Sequence, residues 1–479
     1  MKELAQQAMS TAQLKGSRYA DVRIIESRTQ TAGVKDGNVD SLGDFESVGF
    51  GVRVLVGNAW GFASSADITR EEVDRVTALA VEIARASALV PGKPVELGAP
   101  IRSTGTYVTP IQIDPFSVSI EEKLGLLLDA DATMRRNPGV KVSEGRVTSV
   151  RHRKTFANTE GALLEQTIYE CGGAISSTAV SGNDIQVRAY PDAFRCQGTG
   201  GWEYILNERF ADNAERVASE SVALLSAEVC PSKVTTLILD SSQLALQIHE
   251  SCGHPTELDR VYGTEAAFAG RSFLTTDKLG SLRYGSPIVN LTADSVRPTG
   301  LGTFGWDDEG VPASSTPLVK NGEFVGYLMS RETASQLGLQ SNGCMRADGW
   351  NRIPLIRMTN VSLEPGTWEA EDIIADTDEG VYMETNRSWS IDDMRLNFQF
   401  GTQLGYEIKQ GRKTRLLRNC TYAGMTPEFW NSCDAIGNAK HWKLWGTPNC
   451  GKGEPMQVMG TGHGAAPARF RNVRIGVFR

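Results

Sequence analysis

Two histidines five residues apart constrain this chain more than any other feature. They lie in Leu246-Gln247-Ile248-His249-Glu250-Ser251-Cys252-Gly253-His254-Pro255, within 479 residues that hold only five histidines. Two neutral imidazoles with a carboxylate beside one of them are what a hydrolytic zinc site needs: nitrogen ligands and a base. On a regular α-helix, residues four apart sit about 40° from one another and share a face. Residues five apart sit about 140° from one another, so a straight helix cannot aim both rings at one ion. The spacing therefore predicts a distortion. Gly253 tolerates left-handed dihedrals, and Pro255 keeps His254 from continuing a helix comfortably. The expected outcome is a helix that stops near Cys252 and swings His254 back, or a π-bulge with the same effect. The competing reading is two unrelated histidines near a helix end.

The flanking pattern reads as a scaffold for this segment. Residues 2–14 form an amphipathic helix ended by Gly16, followed by alternating runs at Asp21–Ile25 and Ser47–Val56 with turns at Lys35-Asp-Gly-Asn and Val56-Gly-Asn. A helix capped by Asp67 runs to about Ala88, and Val90-Pro-Gly-Lys-Pro is a linker. Ser119 caps a second helix to about Arg136. Strands are expected at 140–150, 153–159, 163–179 and 185–189, and a helix at 207–227. This order suggests two copies of one unit or a chance likeness, and an α+β fold. Residues 233–239 read as a buried strand, with Asp240 capping the helix that carries the motif. Beyond His254 the chain is rich in glycine and short strands, as in a barrel or sandwich. The expected division is an N-terminal α/β domain, a helix-flanked antiparallel meander (residues 1–228), and a β-rich, barrel-like C-terminal domain (residues 229–479).

A catalytic zinc normally takes a third protein ligand and keeps one position open. Cys252 is close, but Leu244, Ile248 and Cys252 form an apolar stripe that reads as core. Glu257 and Asp259 follow the helix. Cys450, in Pro448-Asn-Cys-Gly-Lys-Gly453, is flanked by glycine, with a lysine two residues on, a context that lowers a thiol pKa. Its alternative is a buried inert thiol. Eight cysteines without a CxxC pair indicate reduced thiols. A net charge of −8 argues against nucleic acid as a partner. No apolar run is long enough for a membrane helix, and the N-terminus lacks the apolar core of a signal peptide, so a cytoplasmic location is expected.

His249-Glu-Ser-Cys-Gly-His254 resembles the HExxxH motif of the TldD branch of the TldD/PmbA peptidases, the "modulator of DNA gyrase" family. The likeness extends through Asp307-Asp-Glu-Gly310, Thr316-Pro-Leu-Val-Lys-Asn-Gly-Glu323, Ala334-Ser-Gln-Leu-Gly338, Gly343-Cys-Met-Arg346 and Pro354-Leu-Ile-Arg-Met-Thr-Asn360. The resemblance implies a zinc metallopeptidase acting on small peptides or unfolded segments. It implies Zn2+ on His249, His254 and Cys450, with Glu250 activating a zinc-bound water. It also implies a dimer, either of identical chains or with a PmbA-type subunit that lacks the motif. The alternative is a non-catalytic partner subunit with a structural or vestigial metal.

Other residues read more plainly. Asp307-Asp308-Glu309 reads as a solvated turn, His463 as a loop histidine, His152 as an exposed strand position and His441 as surface or packing. Trp430, Trp442 and Trp445, in the Trp-rich stretch 425–446, read as core or contact aromatics.

Overall fold

The structure, a computed structural model, describes residues 1–477. Its first sheet begins with a hairpin set by local chemistry. Asp36 and Gly37 take φ values of 48° and 80°, the pair of positive angles that a two-residue type I′ turn requires. The turn joins strands Tyr19–Lys35 and Asn38–Val56, which pair antiparallel. Ala59–Ser65 extends the sheet on one side, and Val140–Asn158 and Leu163–Ser181 on the other. Three shorter strands, Thr104–Val108, Asp184–Tyr190 and Gln197–Thr199, all pair with Leu163–Ser181.

Alternation along the strands gives this sheet two different faces. Val22, Ile24, Phe50, Val52 and Val54 pack beneath helices Lys2–Leu14 and Arg70–Ser87. Val147, Cys171 and Ile175 pack beneath Ile120–Arg135 and Phe210–Leu224. The opposite face turns toward the C-terminal half and carries charge.

In the C-terminal half, Lys233–Leu239, Ala468–Ile475, Thr421–Met425, Asn397–Lys409 and Glu379–Ile391 pair in that order, and the last returns to the first. This closes a barrel and removes its edges. Helix Ser241–Ile248 leaves the end of the strand Lys233–Leu239. Its N-terminus is capped by Asp240, whose carboxylate accepts a hydrogen bond from Ser242 N at 2.8 Å. All eight of its residues are buried.

The α+β class and the barrel-like second half are as the sequence suggests. Several elements differ. The second helix is capped by Thr69, not Asp67. The two strands expected between 140 and 159 are one, because His152 and its neighbours continue the ladder. The helix expected at 207–227 breaks at Arg209, which adopts φ 50° between helices Glu203–Glu208 and Phe210–Leu224.

Asp307-Asp308-Glu309 is not a solvated turn. All three side chains are buried at the contact between the halves. Asp308 pairs with Lys154 and lies 3.9 Å from Arg23 Nη1. Glu309 lies 3.3 Å from Arg53 Nη2, which also binds Asp21 at 2.7 Å. Asp307 accepts hydrogen bonds from the backbone of Glu309, Val311 and Met345. Burial pushes the Asp308 carboxyl up, but Lys154 and Arg23 outweigh it and hold the group below the ordinary aspartate value. Removing one member of such a cluster leaves an uncompensated buried charge. Asp308→Ala is expected to destabilise the chain by roughly 3–5 kcal/mol, read as a lowered melting temperature. Unchanged melting would contradict this account of the contact.

Candidate metal centre

The motif helix does not stop at Cys252. It continues as a π-helical turn over His249–Gly253 and a 3-10 turn over His254–Thr256. The backbone N–H of His254 donates to the carbonyl of His249, the i→i+5 bond that defines a π turn. The wider turn brings residues five apart onto one side, which the α-helix cannot do. The π-bulge is therefore the solution this chain uses.

Gly253 serves a different purpose from the expected one. Its φ is −56°, an ordinary right-handed value. A Cβ at this position would lie 2.0 Å from Met358 Sδ, so glycine is required by close packing rather than by a left-handed turn. Gly253→Ala should cost roughly 1–3 kcal/mol through overpacking, measurable by thermal melting. A variant as stable as the parent would refute the steric account.

The rings of His249 and His254 lie 4.8 Å apart at 88°. Cys450 arrives from the hairpin Lys443–Lys452 with Gln457–Ala465. An extra residue between Thr447 and Cys450 shifts the register there, a bulge of the kind that re-aims a side chain. One ligand-type atom from each of His249, His254 and Cys450 lies within 4.8 Å of the others. Cys450 Sγ is 3.7 Å from His254 Nε2. Tetrahedral zinc with ordinary bond lengths would separate nitrogen and sulfur ligands by roughly 3.3–3.6 Å, so this donor set fits the ion.

The second nitrogen of each histidine is held. His463 Nδ1 donates to the Val361 carbonyl at 3.0 Å, which leaves its Nε2 to accept from His249 Nδ1 at 2.7 Å. His254 Nδ1 donates to Glu257 Oε2 at 3.0 Å. Both arrangements free Nε2, fix the ring and make it more basic. Burial pushes all three imidazoles far below the ordinary histidine value, His463 to about 3. They are neutral, the state a metal ligand requires.

Glu250 is buried and paired with Arg395, Nη1 to Oε2 at 2.9 Å. Burial raises its carboxyl pKa, against the opposing charges of Arg395 and Arg195. Arg395 is held with φ 61° in the connection between strands Glu379–Ile391 and Asn397–Lys409.

Several sequence readings change here. His463 is not a loop histidine. It is fully buried in strand Gln457–Ala465 and orients His249. Glu257 is a hydrogen-bond partner of His254, and Cys252 lies in the apolar core as its stripe suggests. Lys452 does not lower the Cys450 thiol. It is consumed by carboxylates, 2.8 Å from Asp259 and 3.4 Å from both Glu257 and Glu265, while burial pushes the thiol up. His441 binds Glu369 on the partly exposed side. Trp430 packs in the core and donates to Ser251 Oγ. His152 lies within the sheet, bonded to Ser27, and is not exposed.

Three family descriptions match in chain order: PmbA/TldA metallopeptidase domain 1 at residues 20–84, the central domain at 113–225 and the C-terminal domain at 232–476. A metalloprotease of Methanocaldococcus jannaschii is 30% identical over 93% of this chain and 95% of its own. The chain belongs to the TldD/PmbA metallopeptidase family. A metalloprotease TldD homolog of Haemophilus influenzae is 26% identical over 93% of this chain and 91% of its own. The fold is shared with a Thermotoga maritima protein named for modulation of DNA gyrase (TM-score 0.78, 18% identity, 99% of both chains). It is also shared with TldE of Thermococcus kodakarensis (TM-score 0.73, 16% identity, 99% of this chain and 100% of that one). Among the described residues no helix is long and apolar enough to cross a membrane.

Proposed function

We propose that this TldD/PmbA-family chain is a zinc-dependent peptidase whose ion is held by His249, His254 and Cys450, with Glu250 as the general base. The observation that carries the reading is the π turn. It gathers two neutral imidazoles beside the thiol that the hairpin supplies, and it places a buried carboxylate one residue from the first ligand. One relative, from Saccharolobus solfataricus, is named a zinc metalloprotease TldD homolog and is 25% identical over 42% of this chain and 43% of its own. Zinc bound there would act as a Lewis acid toward the scissile carbonyl and the attacking water.

The chain's own groups account for the rest. Glu250 takes a proton from the water as it adds to the carbonyl carbon, and gives a proton to the leaving amide nitrogen as the C–N bond breaks. Arg395 orients the carboxylate and opposes the upward push that burial gives its pKa. His463 and Glu257 hold the two imidazoles in the tautomers that present Nε2. Burial around the motif limits competing water.

Glu250→Gln should lower kcat on flexible peptides by roughly 10²–10⁴-fold while keeping its zinc, assayed by peptide mass analysis and metal content. Cleavage at the parent rate would overturn the role of Glu250. His463→Ala, which removes the partner of His249 but none of the three proposed ligands, should weaken zinc binding by roughly 10–100-fold, measured by competition with a chromophoric chelator. An unaltered affinity would show that His463 does not orient His249.

A further inference from the structure

A cavity of about 540 Å³ lies between the charged face of the first sheet and the C-terminal half. Its floor is that face, at Gln166, Ile168 and Glu170. Trp306 and Trp350 stand on the other side. The Cys450 hairpin supplies part of the wall through Met459, which is the cross-strand partner of Cys450. The hairpin that brings Cys450 to the candidate metal centre therefore also borders the cavity. Arg346, also in the lining, ties the wall to the motif by donating to the carbonyls of Met358 and Gly460, and Met358 packs on Gly253.

The charges in this cavity are unequally satisfied. Lys154 is engaged by Asp308, and Arg346 is spent on backbone carbonyls. Glu170 has no ion-pair partner among the described residues. It accepts one hydrogen bond, from the neutral amide of Gln197 at 2.9 Å. This part-buried carboxylate in an aromatic-walled cavity feels the charge of Arg346 only from beyond ion-pair distance, so it has no direct countercharge. Burial raises its pKa to about 7, and a bound cation would restore its ionisation.

We propose that this cavity binds the free amino end of a peptide, with its ammonium on Glu170 and its first side chain against Trp306 and Trp350. The identity of the ligand as a peptide rests on the peptidase reading above. An ammonium supplies the missing charge and up to three donors, and the two indoles supply apolar area for a neighbouring side chain. An amino end held here lies against the hairpin that carries Cys450. The chain would therefore select substrates by a free amino terminus and an apolar first residue.

The test uses the full-length zinc-loaded protein with two probes, Phe-Ala-Ala-Ala-Ala bearing a free amino terminus and its N-acetylated twin. Binding is measured by calorimetry on the Glu250→Gln variant, and KM and kcat on the parent. The free peptide should bind more tightly than the acetylated one, by on the order of tenfold to a hundredfold. Glu170→Gln should bring that ratio close to one. Equal binding of the two peptides, or an undiminished ratio in Glu170→Gln, would overturn the proposal. The comparison on unaltered Glu170 stands even where Glu170→Gln fails to fold. A Glu170-dependent preference in binding without cleavage would sink the peptidase reading alone. Cleavage of both peptides with equal KM would sink this inference alone.

Discussion

The bond from His254 N–H to the His249 carbonyl carries more of this structure than any other single contact. It widens one turn of a buried helix. Without it His249 and His254 would point to different sides of the cylinder, and the carboxylate between them would have no common centre to serve. A π turn is rare because it forgoes the tighter α-helical packing, so it persists only where surroundings over-determine it. Here the surroundings are specific. Tyr284 Oη donates to the Ser251 carbonyl at 2.8 Å, and Thr256 Oγ1 donates to the Cys252 carbonyl at 2.8 Å. Met358 fills the space that a side chain on residue 253 would need. The deviant turn is thereby supplied with the hydrogen bonds its carbonyls would otherwise lack.

The barrel makes that turn a fixed object, and the hairpin and the interdomain contact bring other groups to it. Cys450 comes from nearly two hundred residues away, yet its hairpin is clamped. Arg357, fully buried, donates to the carbonyls of Cys450 and Gln457 on the two strands. Lys452, also fully buried, joins the hairpin to the acidic group around the motif's C-terminal end. On the far side the first sheet is held by Asp308 and Glu309 through Lys154, Arg23 and Arg53. Buried charge clusters add little net stability but lose much when broken. Their effect here is to fix the sheet against the hairpin, which sets the width of the cavity between them.

Much of this was legible in the sequence because it depends on local chemistry. The i, i+5 spacing demanded a distorted helix, and the π alternative follows from helix geometry alone. Leu244, Ile248 and Cys252 read as core by periodicity and are core. The hairpin at Asp36-Gly37 follows from the dihedrals those residues accept. What stayed hidden depends on partners distant in the chain. Glycines around His463 suggested a loop, yet they lie on a tightly packed strand: a Cβ on Gly462 would meet Asn360 and one on Gly464 would meet Trp442. Glycine marked close approach there rather than flexibility. Asp307-Asp308-Glu309 looked solvated because charges usually are, and only the tertiary contact supplies Lys154, Arg23 and Arg53. Lys452 beside Cys450 suggested an activated thiol, but neighbours in sequence are not neighbours in charge, and three carboxylates claim that ammonium.

The central claim is that the π turn and the hairpin together make one mixed nitrogen and sulfur donor set. X-ray absorption spectroscopy of zinc in the purified chain tests it most directly. The account predicts one sulfur at about 2.3 Å and two imidazole nitrogens at about 2.0–2.1 Å, with the sulfur lost in Cys450→Ser and retained in Cys252→Ser. A shell without sulfur in the parent chain, or a sulfur that disappears with Cys252 instead, would contradict it.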